Sequence, residues 1–182
     1  TRDDAAGECF DKVARVLGIG YPGGAPMDRL ADGGDDAKYE LPRAHVQGAE
    51  LDMSFSGLKT AAINLIHNAG QKGEPLVVED LCADFSAAVS DTLVPRAMEA
   101  LGRTGCRKLA VAGGVAANSR IRRDVLAAAN GLGVQVYMPP LALCGDNAAM
   151  IGAQGYYEYL AGNTGDMTLN AYATKSIIGE TL

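Results

Sequence analysis

Two glycines at the centre of this 182-residue chain have the spacing of a ligand-binding turn. Gly113 and Gly114 follow a short apolar run at 109–112 and precede Asn118 and Ser119, either of which suits a helix N-cap. A buried strand, a two-glycine turn and a helix start bring backbone N–H groups and the positive end of a helix close to an anion. The sequence therefore predicts either a phosphate or nucleotide cradle here, or an ordinary strand-to-helix connection.

Carboxylates at helical spacing near the start of the chain form a second group. Asp4, Glu8 and Asp11 line one face of an amphipathic helix predicted over residues 3–17, with Asp3 or Asp4 as its cap. Such carboxylates lie on the solvated side of a helix, or they accept hydrogen bonds from the sugar hydroxyls of a bound nucleotide. The spacing alone leaves both interpretations open.

Asp146 is a third candidate, because it follows a flexible glycine just before a helix predicted at about 148–160. Its carboxylate either caps that helix or points into the cleft of the glycine turn, since ligands in open α/β sheets bind where strands end and helices begin. Ser54 and Ser56 present the same choice, because a second predicted helix begins at Ser56 and reaches about residue 68.

Histidines and cysteines argue against a self-contained metal centre. The two histidines, His45 and His67, do not share a metal-ligand spacing, and the four cysteines lie far apart with no Cys-x-x-Cys pair. We expect reduced, mostly buried thiols in a cytoplasmic protein.

The elements that would position these residues alternate between helix and strand. Beyond the helices named above, the pattern predicts a short helix at 27–31, a long one from 77 or 78 to 101 that kinks or breaks at Pro95, and strands at 109–112 and 134–138. We expect an α/β fold in a single domain over 1–182, with a mostly helical insertion at about 25–76. No apolar run approaches bilayer length, so the sequence predicts a soluble protein without a membrane partner.

Charge argues against a general polyanion-binding surface, because the net charge is −6. A local exception is the arginine-rich start of the helix after the glycine turn, at Arg120, Arg122 and Arg123. These side chains form either a basic rim or an ordinary solvated helix face.

Several stretches taken together, in this order, resemble one family. They are Asp-Asp-Ala-Ala-Gly-Glu-Cys-Phe-Asp-Lys at 3–12, Tyr-Pro-Gly-Gly at 21–24, Ser-Phe-Ser-Gly-Leu-Lys at 54–59, Gly-Gly-Val-Ala-Ala-Asn at 113–118 and Asp-Asn-Ala-Ala-Met-Ile at 146–151. They look like the C-terminal half of the TsaD family, the tRNA adenosine threonylcarbamoyltransferases, formerly called O-sialoglycoprotein endopeptidases or glycoproteases.

The resemblance implies an actin-like, sugar-kinase fold in which two ribonuclease-H-like lobes enclose a nucleotide. It also implies an acyltransferase of tRNA modification, which moves a threonylcarbamoyl group from threonylcarbamoyl-adenylate to the N6 amine of the adenosine next to the anticodon. The implied partners are tRNA and the helper subunits of the transfer complex. The nucleotide ligand is threonylcarbamoyl-adenylate or ATP.

By the same resemblance, Asp11 binds ribose hydroxyls with Glu8 nearby, and Gly24 lines the nucleotide site. Gly113, Gly114 and Asn118 hold the adenylate part. Asp146 is a ligand of one divalent metal ion, iron or alternatively zinc.

This sequence departs from the family at the metal site, because the family's His-x-x-x-His motif does not occur in it. The family's N-terminal lobe and its phosphate-contacting segments are also missing, so we expect the chain to be inactive by itself. Its sheet would then have an open edge, which favours self-association. An ATP-binding kinase or ATPase of the same superfamily, or a non-catalytic binding module, remains the alternative.

Overall fold

The computed structural model describes residues 3–43, 46 and 48–171 of the chain. Within this part the chain forms six α-helices and a two-stranded parallel sheet. The helices are α1 (Ala6–Val16), α2 (Gly24–Leu30), α3 (Ser56–Lys72), α4 (Val78–Thr104), α5 (Ser119–Gly131) and α6 (Ala148–Leu160), and the strands are β1 (Lys108–Ala110) and β2 (Gln135–Tyr137). The predicted α/β class is therefore confirmed.

The start of α1 differs from the sequence prediction, because neither Asp3 nor Asp4 caps it. Its N-cap is Ala5, without a side-chain hydrogen bond. Asp3 instead reaches across the chain to the start of α3, where its carboxylate accepts hydrogen bonds from the Phe55 N–H at 2.9 Å and the Ser56 hydroxyl at 2.8 Å. Asp3 thus serves as the missing cap of α3, a role that spacing along one helix could not reveal.

The core is built around α4, which packs against α2, α3 and α5. Its segment from Leu81 to Ser90 is buried along its whole length, and the ring of Phe85 meets Phe10 of α1 edge-to-face with centroids 5.0 Å apart. The predicted break at Pro95 does not occur, since α4 continues through it to Thr104, whereas the alternative, a kink at Pro95, stays a prediction. Tertiary packing on three sides outweighs the hydrogen bond that proline removes.

The parallel strands are joined by α5, and Leu109 pairs with Val136 in their register. Both strands are shorter than the sequence predicts. β1 ends at Ala110 and not at residue 112, and β2 covers only Gln135–Tyr137 of the predicted 134–138. A 3-10 turn at Gly114–Ala117 links β1 to α5. This strand–turn–helix order is the one that the glycine pair predicts.

The chain divides into two compact units, residues 1–145 and residues 146–182. The second unit contains α6, whose cap is Asn147, since the Asn147 side chain accepts a hydrogen bond from the Met150 N–H at 3.0 Å. Among the residues that the structure describes, no helix has the length and apolar character needed to cross a bilayer.

Candidate functional site

A pocket of about 270 Å³ lies in the first unit, where α1, α2 and the 3-10 turn before α5 meet. Its wall brings together four of the residues singled out in the sequence, Asp11, Gly24, Gly114 and Asn118, although they span more than a hundred positions of the chain. The other wall residues are mostly apolar: Gly7, Phe10, Pro22, Ala25, Asp28, Val115 and Ala117. We call it the α1–α2 pocket.

Asp11 joins the two helices of this pocket. Its Oδ1 atom accepts a hydrogen bond of 2.7 Å from the Gly23 N–H, at the start of α2. Gly23 must be glycine, because a Cβ atom there would lie 2.2 Å from the Cβ atom of Ala14 on α1. The close approach holds the 22–24 turn against α1, and it leaves the second carboxylate oxygen of Asp11 for a ligand.

Asn118 has a structural and a ligand-facing group. Its Oδ1 atom caps α5 by accepting a hydrogen bond from the Ile121 N–H at 3.0 Å, and the residue is almost fully buried. Because the cap uses the oxygen, the NH₂ group is the part of Asn118 that remains for hydrogen bonding in the pocket.

Arg122 stabilises the turn before Asn118, because its guanidinium donates a 2.8 Å hydrogen bond to the Ala116 carbonyl. Gly113 enters this turn with φ of +91°, a conformation that favours glycine. Gly113 thus shapes the turn, while Gly114 lies in the pocket wall.

Asp28 is a pocket residue that the sequence reasoning missed. It lies on α2 and accepts hydrogen bonds from the Ser119 N–H at 3.0 Å and the Ser119 hydroxyl at 2.8 Å. Its position could have been predicted from the sequence, because Asp28 follows Gly24 by four residues and therefore lies on the same face of the helix. A carboxylate thus lies at the N-terminus of α5, where the phosphate-cradle interpretation places an anion.

The electrostatics of the α1–α2 pocket favour a ligand that donates hydrogen bonds. Two carboxylates, Asp11 and Asp28, line it, and none of the described lining residues is lysine or arginine. Apolar surface from Pro22 and Val115 suits a flat ring. A phosphate would meet like charge here, whereas hydroxyl or amine groups would find acceptors.

Two of the three arginines at the start of α5, Arg120 and Arg122, are engaged in contacts within the fold. Arg120 forms ion pairs with Asp36 and with Asp124, and its pKa is raised because these hydrogen bonds outweigh the effect of partial burial. Arg122 is bound to backbone carbonyls. Much of the positive charge at the start of α5 is therefore used to hold the fold together.

Glu8 does not line the α1–α2 pocket, although it precedes Asp11 by one turn of α1. Its carboxylate, about half exposed, pairs with Lys12 at 2.7 Å. Lys12 also pairs with Asp4 at 2.8 Å, and both hydrogen bonds raise the pKa of Lys12. The Asp4 carboxylate in turn contacts Lys59 of α3. Glu8 and Asp4 thus belong to a network that ties α1 to α3.

Asp146 is exposed and directly precedes the Asn147 cap, so the interpretation of Asp146 as the cap of α6 is wrong. Within the described ranges, no three His, Cys, Asp or Glu side chains lie close enough together to hold a metal ion. His45 falls outside those ranges. The described residues therefore do not form a metal site by themselves, and we derive no chemical step through a metal.

Comparison with known proteins identifies the family. The sequence model of the family TsaD, described as tRNA N6-adenosine threonylcarbamoyltransferase, matches residues 1–153. Curated relatives with that same name include proteins of Moorella thermoacetica, 48% identical over 171 residues, and Clostridioides difficile, 46% identical over 171 residues. A Streptococcus equi subsp. zooepidemicus relative is 51% identical over 171 residues. These matches cover 94% of this chain and 50%, 51% and 50% of the respective relatives, so the chain spans about half the length of the curated relatives it matches.

Proposed function

This chain belongs to the TsaD family, and on that premise we propose that its α1–α2 pocket binds the adenosine part of an adenylate during tRNA modification. The reaction proposed for the whole protein transfers a threonylcarbamoyl group from threonylcarbamoyl-adenylate to the N6 amine of the adenosine next to the anticodon. The observation that carries the proposal is the convergence of Asp11, Gly24, Gly114 and Asn118 on one pocket wall.

Each polar group of the pocket has a role in this proposal. The carboxylates of Asp11 and Asp28 accept hydrogen bonds from the ribose hydroxyls, and the Asn118 NH₂ group donates to an acceptor of the ligand. Pro22 and Val115 provide apolar surface for the adenine ring. The adenylate phosphate lies outside the pocket, since two carboxylates would repel it.

Two contacts pre-organise this arrangement before the ligand arrives. The hydrogen bond from the Gly23 N–H fixes the orientation of Asp11, and the two hydrogen bonds from Ser119 fix Asp28. Groups held in this way lose little freedom on binding, which improves affinity and orients the adenylate for transfer.

The remaining properties that the family resemblance implies are part of the same proposal. They are an actin-like fold for the whole protein, tRNA and helper subunits as partners, and a divalent ion that Asp146 helps to hold. Since the described residues lack a ligand set, we propose that this chain alone does not catalyse the transfer.

A kinase or ATPase of the same superfamily is the second candidate, because an adenosine pocket serves either chemistry. The two functions differ in the contacts that the protein must make to the phosphates of the ligand. An ATPase needs cationic or backbone contacts to the β- and γ-phosphates, and the lining of the α1–α2 pocket supplies no lysine or arginine among its described residues.

Isothermal titration of the 182-residue chain with adenosine, AMP and ATP tests the proposal. We expect adenosine to bind at least as tightly as ATP, because the phosphates gain no contact in the pocket and meet its negative charge. Tighter binding of ATP than of adenosine, or hydrolysis of ATP by the chain, would favour the kinase or ATPase. Absence of adenosine binding would reject both functions for this pocket.

A further inference from the structure

A second pocket, of about 230 Å³, opens on the other side of Asp28, and we call it the Ser86 pocket. It lies between the 31–36 loop, α4 and the first turn of α5. In contrast to the α1–α2 pocket, its lining is mostly polar, with charges of both signs. Neither the family resemblance nor the proposed function assigns a role to it.

A buried, unpartnered hydroxyl lies in the wall of this pocket. Ser86 of α4 is 1% exposed, and its Oγ atom has no hydrogen-bond partner among the described residues. A buried polar group without a partner costs about 1–3 kcal/mol, so most such groups in native proteins are paired. Ser90, one turn further along α4 and equally buried, satisfies this rule by donating to Asp124 at 2.7 Å. A ligand with a polar group pressed against this wall of the pocket would therefore supply the hydrogen bond that Ser86 lacks.

The rim of the Ser86 pocket provides one carboxylate and one guanidinium for a ligand. Asp32 has no ion-pair or hydrogen-bond partner for its carboxylate in the described part of the chain. Arg123 donates its Nε–H to Asp124 at 3.1 Å and is 66% exposed, so its terminal N–H groups remain for a ligand. The two groups have opposite charge and border the same small space.

The other walls are held in place by the fold. A Cβ atom at Gly34 would lie 2.4 Å from the Glu79 carbonyl oxygen, so the 31–36 loop is seated directly on α4. The ion pairs of Arg120 with Asp36 and Asp124 close the opposite side. The Asp36 carboxyl has a lowered pKa, mainly because of the hydrogen bond from Arg120, and stays ionised at neutral pH. The pocket therefore does not depend on the ligand for its shape.

We propose that the Ser86 pocket binds a small zwitterion of the α-amino-acid class with a polar side chain. The ligand's ammonium group pairs with Asp32, its carboxylate pairs with Arg123, and its side chain hydrogen-bonds the Ser86 hydroxyl. The ligand is small, because the pocket has a volume of only about 230 Å³. Metal binding is not the explanation, since the described residues contain no cluster of three metal-ligating side chains.

Titration of the ¹⁵N-labelled 182-residue chain with L-serine, followed through the Gly33 and Gly34 amide signals, tests this proposal. Ethanolamine lacks the carboxylate of L-serine, 3-hydroxypropanoate lacks its ammonium group, and L-alanine lacks its hydroxyl. We expect saturable shifts with L-serine and at least about tenfold weaker binding of each analogue, because each loses one hydrogen-bonded or charged contact. Binding of L-serine and L-alanine with equal affinity would overturn the role of Ser86. Equal binding of all four compounds, or no saturable shift, would overturn the proposal as a whole and leave ordered water as the partner of Ser86.

Two pairs of variants separate binding from folding. Ser86→Ala removes an unpartnered hydroxyl, so we expect an unchanged or higher Tm together with loss of the preference for L-serine over L-alanine. Ser90→Ala makes the same chemical change but breaks a hydrogen bond, so it lowers the Tm. On the surface, Arg123→Gln weakens L-serine binding, whereas Arg29→Gln on the exposed side of α2 makes the same charge change and leaves it intact. Unaltered L-serine binding in both Ser86→Ala and Arg123→Gln would contradict the proposal.

Discussion

Replacing Asp11 with asparagine or alanine separates the two roles that the structure gives this carboxylate. Asparagine keeps an oxygen that can accept the Gly23 N–H, so it changes a charge-assisted hydrogen bond into a neutral one at a cost of about 1 kcal/mol. Alanine leaves the N–H of the buried Gly23 without a partner, which costs about 1–3 kcal/mol in addition to the lost bond. For a domain of this size, about 1 kcal/mol corresponds to a Tm shift of roughly 2–4 °C.

Adenosine binding should respond differently from stability. Both variants lose the charged acceptor for a ribose hydroxyl, a contact worth about 1.5–3 kcal/mol, so adenosine affinity should fall about 10- to 100-fold in both. Differential scanning fluorimetry measures the stability difference, and isothermal titration with adenosine measures the affinity.

Glu8→Gln is the matched control, because it removes the same charge from the same helix outside the pocket wall. We expect it to leave adenosine affinity unchanged. Equal weakening by Glu8→Gln and Asp11→Asn would refute the reasoning, since it would mean that the net charge of α1, and not a contact of Asp11, governs binding. Normal affinity in Asp11→Ala would refute it as well.

Three further outcomes follow from contacts outside the pocket. Asp3→Asn should destabilise the chain by about 0.5–2 kcal/mol in urea unfolding at pH 6, because Asp3 caps α3. The hydrogen bond from Ser54 above all, with those from Phe55 and Ser56, lowers the pKa of Asp3 to about 2. The stability that Asp3 contributes is therefore present above about pH 4 and is lost as the pH falls towards 2. The stabilities of the variant and the parent should converge there. Gly23→Ala should lower stability by about 1–3 kcal/mol in the same assay, because its Cβ clashes with Ala14; an unchanged midpoint would disprove that close approach. Only Cys106 should react quickly with a thiol reagent, because it is the exposed cysteine of the four. The other three are buried, and burial raises the pKa of the Cys9 thiol to about 12. Rapid reaction of a second thiol would contradict this packing.

Local pattern was sufficient to predict the elements that depend on neighbouring residues. The glycine pair between an apolar run and Asn118 predicted a strand, a turn and a helix start, and all three are present. The helix predicted at about 148–160 is likewise present as α6. These features are set by backbone conformation and helical periodicity, which a short window of sequence contains.

Long-range contacts explain what the sequence could not reveal. The partner of Asp3 lies about fifty positions away on α3, so the acidic start of the chain was interpreted as a cap of its own helix. Pro95 does not interrupt α4, because packing against three other helices outweighs the local penalty. The family resemblance assigned Asp11, Gly24 and Asn118 to one nucleotide site. The contact between Asp28 and Ser119 could not be predicted in this way, because the two residues are ninety-one positions apart and meet only in the folded chain.

A crystal structure of the chain soaked with adenosine tests the central claim most directly. The account predicts adenosine in the α1–α2 pocket, with a ribose hydroxyl donating to the free oxygen of Asp11 and the ring packed against Pro22 and Val115. Adenosine bound elsewhere, or bound in this pocket with its ribose directed away from Asp11 and Asp28, would contradict it.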